Sequence, residues 1–184
     1  MIPNRTSIIA AIAAITLFGS CRNLGEPYGR DKLYNNATNI DFEGFTFFKT
    51  VHEKAVFETH LAKHVQSAPA SPAAKEVAAK VIETYEEVIP ELENLAVESL
   101  VILPDPGMPV FTVPHHFAAD SLGSFDSEGY IAHVQHEQQI ILEQLSRVDH
   151  NTVKSLNRYA KEKLPLVNEL YALTGGKEDH GAHH

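Results

Sequence analysis

Four segments of the chain place apolar residues at alternating steps of three and four, and this spacing limits the fold more than any other feature. Such steps put the side chains on one stripe of an α-helix, which must pack against other helices. The stripes are Phe48, Val51, Ala55, Glu58, Ala62 and Val65; Ala74, Ala78, Val81, Tyr85, Val88, Leu92 and Leu95; Ile131, Val134, Gln138, Ile141, Leu145 and Val148; and Val153, Leu156, Ala160, Leu164, Val167, Leu170 and Thr174. The sequence therefore predicts an all-α protein, a four-helix bundle within residues 41–175.

Residues that start and stop helices lie at the ends of these segments. Asp41 and Ser71 are suited to cap the first and second helices, because their side chains accept hydrogen bonds from free backbone N–H groups. Gly175 follows the fourth helix, at a position where glycine ends many helices. Pro90 and Pro165 lie inside the second and fourth helices, where we expect each to kink its helix or rearrange it locally.

The connection between the second and third helices is long, and it contains four prolines and two glycines in residues 103–124. A loop of this length is predicted to pack across the bundle rather than form a simple hairpin. The side chains expected to make this contact are Val110, Phe111, Val113 and Phe117. His115 and His116 are interpreted as polar residues of the loop.

Three polar residues interrupt the apolar stripes of the first three helices: Glu58, Tyr85 and Gln138. A carboxylate in an apolar stripe must be paired, ligated or protonated, because burying an isolated charge is very costly. We predict that the three side chains form a hydrogen-bonded polar layer in the core, which fixes the register of the helices. Glu87 and Glu91, in contrast, belong to a solvated acidic face of the second helix.

The third helix also contains the histidines that suggest a metal site. Its phase places His136 opposite the apolar stripe, and His133 and Glu137 on one edge of that stripe. On the first helix, His60 and His64 are predicted to face solvent.

A rotation of the third helix by about 60° from this phase would bring Glu58, His133 and Glu137 together as a metal site, with Tyr85 as a further candidate ligand. Oxygen and imidazole ligands suit iron, manganese or zinc.

The N-terminal residues have the layout of a bacterial lipoprotein signal. Arg5 precedes an apolar run over residues 8–18, and two small residues precede Cys21, the single cysteine of the chain. This ending resembles a lipobox, in which the cysteine is lipidated and becomes the new N-terminus. We predict a signal peptide over residues 1–20, a lipid on Cys21 and a flexible tether over residues 21–40; the alternative is an ordinary signal followed by a free thiol.

The charge of the chain limits its partners. It has 15 Lys and Arg against 24 Asp and Glu, a net charge of −9. Binding to nucleic acid depends on basic residues that neutralise phosphates, so nucleic acid is excluded as the expected partner. The same argument counts against an electrostatic membrane site and leaves the lipid as the predicted anchor. The predicted location is the cell envelope, as an outer-membrane lipoprotein facing the periplasm or the cell surface.

The last residues, 176–184, are predicted to form a disordered tail that contains histidines. His180, His183 and His184 are candidates for weak binding of a divalent ion, as in other His-rich tails, and the alternative is a purely solubilising tail.

The mature part of the chain resembles the exported bacterial domain-of-unknown-function family four-one-four-two, whose members are often labelled putative outer membrane proteins. The matching pieces are the first-helix acid Glu58 and the stretches LENLAVESLVILP, FDSEGY and KEKLPLVNEL. The resemblance implies a ferritin-like four-helix bundle with a long loop between helices 2 and 3.

This chain departs from the histidines of that family. The family tends to carry Asp-His pairs in its second and third helices and a histidine in its fourth. These positions fall on Thr84-Tyr85, on Glu137-Gln138 and near Glu169-Leu170, so none of the three histidines is present here. The resemblance therefore implies that a histidine-based site of relatives is missing from this chain.

No feature of the sequence defines an enzyme. It contains no nucleophile motif, no phosphate-binding loop and no E-x-x-H motif of the kind that di-iron bundles use. We therefore predict a lipid-anchored binding or structural module of the envelope, whose partner is an envelope protein or ligand. The alternative is a ferritin-like protein that binds metal inside the bundle.

Overall fold

Four α-helices packed side by side make up the body of the protein in the computed structural model, which describes residues 38–104, 110–117 and 125–177. The helices are α1, Phe42–Ser67; α2, Pro72–Glu98; α3, Ser127–Val148; and α4, Lys154–Leu173. A short 3-10 helix, His115–Phe117, lies in the loop between α2 and α3. The predicted all-α four-helix bundle is confirmed. The signal peptide, Cys21 and the three tail histidines lie outside the described residues.

The helices follow the order α1, α2, α4, α3 around the bundle, since α1 packs on α2 and α3, and α4 packs on the same two helices. Neighbouring helices are antiparallel. The diagonal pair α2 and α3 is parallel, and their first turns meet where the N–H of Ser71 donates to Oγ of Ser127 at 2.9 Å. Residues 99–126 must therefore return along the length of the bundle, as a single crossover between two helical hairpins.

The predicted ends of the helices are confirmed by their hydrogen bonds. Asp41 caps α1 by accepting from the N–H of Gly44 at 2.8 Å, and Ser71 caps α2 by accepting from Ala74 at 3.2 Å. After α4, Gly175 adopts a φ of 87°, a left-handed conformation that glycine takes without a steric penalty.

Both prolines lie inside continuous helices. α2 continues through Pro90, and α4 continues through Pro165. Each proline is exposed, and the carbonyls that lose a helical partner belong to Glu86 and Lys161, which are exposed too. Because water can reach these carbonyls, the missing hydrogen bonds are tolerated and neither proline divides its helix.

The predicted apolar stripes of α1 and α2 are buried along their whole length. The stripes of α3 and α4 are buried at most of their predicted positions, whereas Ile131, Val153 and Leu164 are only partly buried. Tyr130 is fully buried where Ile131 was expected, and Lys163 is buried beside the half-buried Leu164. The other stripe residues of both helices are buried, so Tyr130 and Lys163 widen the predicted buried faces without turning them.

Lys163 is buried because its ammonium group has partners on α2. Its Nζ lies 2.9 Å from Oε1 of Glu87 and 2.8 Å from Oε2 of Glu91, both of which are about half exposed. The aliphatic stem packs inside while the charged end reaches the surface. The acidic face of α2 is thus exposed, as predicted, and two of its carboxylates also bind α4.

The described part of the long loop packs on the bundle as predicted, with one exception. Phe117 is 1% exposed, and Phe111 and Val113 are partly buried against the core. Val110 is 76% exposed, so its predicted contact is wrong. The side chains of Phe111 and Val113, two residues apart, face the bundle. The side chain of Val110, next to Phe111, faces solvent instead. The side chain of His115 is exposed, as expected for a polar loop residue.

The turn after α2 contains the one non-glycine residue with positive φ among the described residues. Leu100 has a φ of 56° and lies where the N–H of Val101 donates to the carbonyl of Ala96 at 2.8 Å. This is the usual hydrogen bond of a helix that ends in a left-handed residue, and glycine is the common choice at that position. A leucine there costs roughly 1–2 kcal/mol.

Candidate functional site

A carboxylate and an imidazole meet between α1 and α3, about two-thirds of the way along α1. Glu58 is fully buried in the stripe of α1, and its Oε1 forms a hydrogen bond with Nε2 of His133 at 2.7 Å. The side chain of His133 is 24% exposed, in keeping with its predicted position on the edge of α3. The buried carboxylate therefore has a partner that reaches the protein surface.

The environment of this pair changes the pKa of both groups. Burial raises the pKa of Glu58, and the hydrogen bond from His133 opposes that rise. Burial lowers the pKa of His133, but the hydrogen bond and the charge of Glu58 outweigh burial and raise it above its ordinary value. The imidazolium form of His133 is thus favoured beside the carboxylate.

A second polar contact lies in the same region, between the diagonal helices α2 and α3. The hydroxyl of Tyr85 donates to Oε1 of Gln138, and both side chains are fully buried. Burial and the nearby charge of Glu58 raise the pKa of Tyr85 well above its ordinary value. The three residues predicted for the polar layer are therefore all in the core, where Tyr85 binds Gln138 and Glu58 binds His133.

Three atoms of this region are buried without a hydrogen-bond partner among the described residues. They are Oε2 of Glu58, Nε2 of Gln138 and the hydroxyl of Tyr130. Burial and the charge of Glu58 also raise the pKa of Tyr130, so its hydroxyl remains protonated and able to donate. In proteins, buried polar atoms without a protein partner commonly form hydrogen bonds with buried water.

A surface pocket of about 460 Å³ adjoins the pair on the face formed by α1 and α3. Its lining residues are Thr50, Glu53, Lys54, Phe57, His133 and Glu137. Nζ of Lys54 binds Oε2 of Glu137 across the two helices. His133 therefore connects a buried carboxylate on one side with a polar, solvent-open pocket on the other.

The loop between α2 and α3 covers one side of His133. The rings of Phe117 and His133 meet edge to face, with centroids 5.2 Å apart. Phe111 stacks on His60 at 5.3 Å and contacts Phe57 at 5.5 Å. The described part of the loop thus covers one side of His133, and the pocket borders another side.

The predicted metal ligands are only partly brought together. Glu58 and His133 are in contact, whereas the carboxylate of Glu137 is held by Lys54. Within residues 38–104, 110–117 and 125–177, no three His, Cys, Asp or Glu side chains are placed to bind one ion. The arrangement thus does not fit a metal ion as it stands, and the metal hypothesis for these three residues stays a prediction.

Sequence reasoning missed a second pair of this type. His52 is 2% exposed on α1, and its Nε2 lies 3.1 Å from Oε1 of Glu93 on α2. The available signal was its position directly after Val51, on the flank of the α1 stripe. His136 is exposed, as predicted, and takes no part in either pair.

The fold and the site together define the class of this protein. It is an all-α four-helix bundle with polar residues in its core and a His–Glu pair next to a surface pocket. Comparisons with protein-family models, with curated proteins and with solved structures find no match for this chain. None of the described helices is long and apolar enough to cross a membrane.

Proposed function

We propose that this protein is a lipid-anchored helical bundle of the bacterial cell envelope that acts as a binding or structural module. The signal-like N-terminus with Cys21 supports the anchor, and the four-helix body supports a scaffold role. The role as a binding or structural module is supported mainly by one observation. The fully buried Glu58 forms a hydrogen bond with His133 of a facing helix.

This pair favours a single alignment of α1 and α3. A slide of α3 by one turn would move His133 by about 5.4 Å along α1 and leave the Glu58 carboxylate alone in the core. An uncompensated buried charge costs about 3–5 kcal/mol, so the slid arrangement is strongly disfavoured. A bundle held in one register presents its outer faces rigidly, which is what a binding or structural module requires.

We also propose that the four-helix bundle has the connectivity of ferritin-like proteins. Bundles of that class have one long crossover between two hairpins, and residues 99–126 make such a connection here. The resemblance to the exported family four-one-four-two is part of the same proposal.

The anchor is tested by replacing Cys21 with serine in the full chain. The unchanged protein, expressed in a bacterium, should fractionate with membranes and carry a lipid on its N-terminal peptide by mass spectrometry. We expect Cys21→Ser to lose the lipid and to leave the membrane fraction. A Ser20→Ala control, which keeps a small residue before the cysteine, should behave as the unchanged chain. An unlipidated Cys21 in the unchanged protein would contradict the proposal.

A metal-binding bundle is the second candidate, because one oxygen of Glu58 has no partner beside His133. Iron, manganese or zinc would be held by Glu58, His133 and Glu137, with Lys54 displaced from Glu137. These residues would supply one imidazole and two carboxylates, a ligand set that such ions accept.

Metal analysis of the purified chain separates the two candidates. For a binding or structural module, we expect no stoichiometric metal once residues 177–184, with their three histidines, are deleted. Glu58→Gln should then change nothing, and neither should Glu86→Gln, an exposed control on α2. Stoichiometric metal that survives the deletion and disappears only in Glu58→Gln would instead establish the second candidate.

A further inference from the structure

One end of the bundle exposes a group of large apolar side chains. Phe42, Val97, Leu100 and Ile102, here called the apolar patch, are between 57% and 73% exposed. The structure describes six exposed large hydrophobic residues, and these are four of them. Isolated exposed apolar residues are normal, but a group at one place marks an interaction surface.

The backbone shows that these four residues share one end. α1 begins at Phe42 where the antiparallel α2 ends, and the N–H of Asn39 donates to the carbonyl of Ser99 at 3.1 Å. Val101 is buried, so its neighbours Leu100 and Ile102 both turn outward. The patch is therefore formed by the start of α1 and the turn after α2.

The backbone conformation at Leu100 favours an interaction role over a packing role. Its left-handed φ of 56° is strained for leucine, and its side chain is 57% exposed. An exposed side chain contributes little to the core, so the fold alone gives no reason to prefer leucine to glycine here. Backbone strain of this kind is concentrated at functional sites.

The chain outside the described residues indicates what covers the patch. The described part of the chain begins at this end with Thr38 and Asn39, just before α1, and residues 1–37 precede them in the sequence. Cys21 is separated from Thr38 by residues 22–37, which can span at most about 55 Å when fully extended. As a flexible tether, this segment would span roughly 22 Å on average, against a length of roughly 39 Å for α1. A lipid on Cys21 would thus hold this end closer to the bilayer than the opposite end, and tethering makes even a weak contact effective.

We propose that the apolar patch contacts the lipid bilayer that anchors the chain, so that the bundle stands with this end on the membrane. This inference rests on the proposed lipid anchor. Glu43 and Glu98 are exposed at the same end, so a zwitterionic surface suits the patch better than an anionic one.

The chain contains no tryptophan, so a single introduced tryptophan reports on its own surroundings. The lipidated full chain with Leu100→Trp is reconstituted into phosphatidylcholine vesicles with brominated acyl chains, which quench a nearby indole. We expect Leu100→Trp to lose most of its emission relative to unbrominated vesicles. Val97→Trp is a second reporter of the patch. Leu173→Trp, an exposed position at the other end of the bundle, should keep its emission.

Each other outcome overturns the inference. Unquenched patch reporters in a chain whose Cys21 carries a lipid would reject the bilayer contact and leave the proposed anchor standing. Equal quenching of Leu173→Trp would show that no end is preferred. A blue-shifted Leu100→Trp spectrum with self-association in the absence of vesicles would assign the patch to a second copy. Absence of a lipid on Cys21 would reject the proposed function itself. The mass of the purified protein distinguishes this outcome from the others.

Leu100→Gly separates contact from folding. In the Val97→Trp chain, this change relieves the backbone strain, so the urea midpoint of unfolding should rise. It also removes a contact with lipid, so quenching of the Val97→Trp emission should fall. Unchanged quenching in the more stable variant would show that Leu100 does not touch the bilayer, and would count against the proposal.

Discussion

Replacing His133 with leucine should destabilise the bundle by about 3 kcal/mol at neutral pH, although leucine is the more apolar residue. Glu58 is 0% exposed, and its only hydrogen-bond partner among the described residues is His133. Breaking a buried pair by removing one member costs about 3–5 kcal/mol, because the other charge is left uncompensated. Urea unfolding followed by circular dichroism would measure the loss.

The loss should depend on pH in a defined direction. In the variant, the folded state disfavours ionised Glu58, so stability falls as pH rises above 4.5, the ordinary pKa of the glutamate. In the unchanged chain, the raised pKa of His133 contributes stability below 6.5, its ordinary value, and this contribution is lost as pH rises through the folded pKa. The difference between the two chains should therefore be small in acid, greatest once Glu58 is ionised and His133 still protonated, and smaller again as pH rises through the folded pKa of His133.

Two controls separate charge pairing from packing. His136→Leu changes an exposed histidine of the same helix and should alter stability by less than about 0.5 kcal/mol. The double variant Glu58→Leu/His133→Leu removes both charges and should recover most of the loss, since replacing a whole buried pair by apolar residues is often neutral. A cost of His133→Leu that does not change between acid and neutral pH would refute this account.

Phe117→Ala should cost about 3 kcal/mol, an effect as large as that of a core residue in a helix. Phe117 is 1% exposed and packs on Phe125, Tyr130 and His133, although it belongs to the loop. Truncating a buried phenylalanine usually costs 3–5 kcal/mol. The free energy of unfolding in urea is the measurement.

The neighbouring His116 provides the matched control. Its side chain is exposed, so His116→Ala should change the free energy of unfolding by less than about 0.5 kcal/mol. Limited proteolysis adds a local readout, because Phe117→Ala should make residues 110–117 more readily cleaved under conditions where the helices stay intact. If Phe117→Ala cost no more than His116→Ala, the loop would not be part of the core.

The stripes of α1 and α2 could be predicted because all their residues except Glu58 and Tyr85 are apolar. The phase of α3 and α4 could be predicted in the same way, but the burial of Tyr130 and Lys163 beside the stripes could not. Both side chains are amphipathic. Tyr130 is buried together with its hydroxyl, whereas Lys163 buries its stem and its ammonium group meets carboxylates of α2. For Lys163, burial depends on Glu87 and Glu91 of another helix, and a pattern within one segment carries no information on such partners.

The need for a partner at Glu58 follows from its place in the stripe, but the partner itself does not. Whether His133, Glu137 or neither reaches Glu58 depends on how far α3 is displaced along α1. That displacement is set by packing between helices distant in sequence. The same limit explains why His52 and Glu93 were missed, since 41 positions separate them along the chain. The periodicity of apolar residues predicts which face of a helix is buried. It does not predict how far that helix is shifted along its neighbour.

The single crossover has a consequence for how the protein assembles. It divides the bundle into two hairpins, α1 with α2 and α3 with α4, each of which has its contacts close in sequence and can form quickly. The bonds from Glu58 to His133 and from Tyr85 to Gln138 both join one hairpin to the other. The His52–Glu93 pair lies within the first hairpin, but neither hairpin contains both members of these two contacts. Their polar groups are therefore satisfied only when the two halves have docked in the correct alignment.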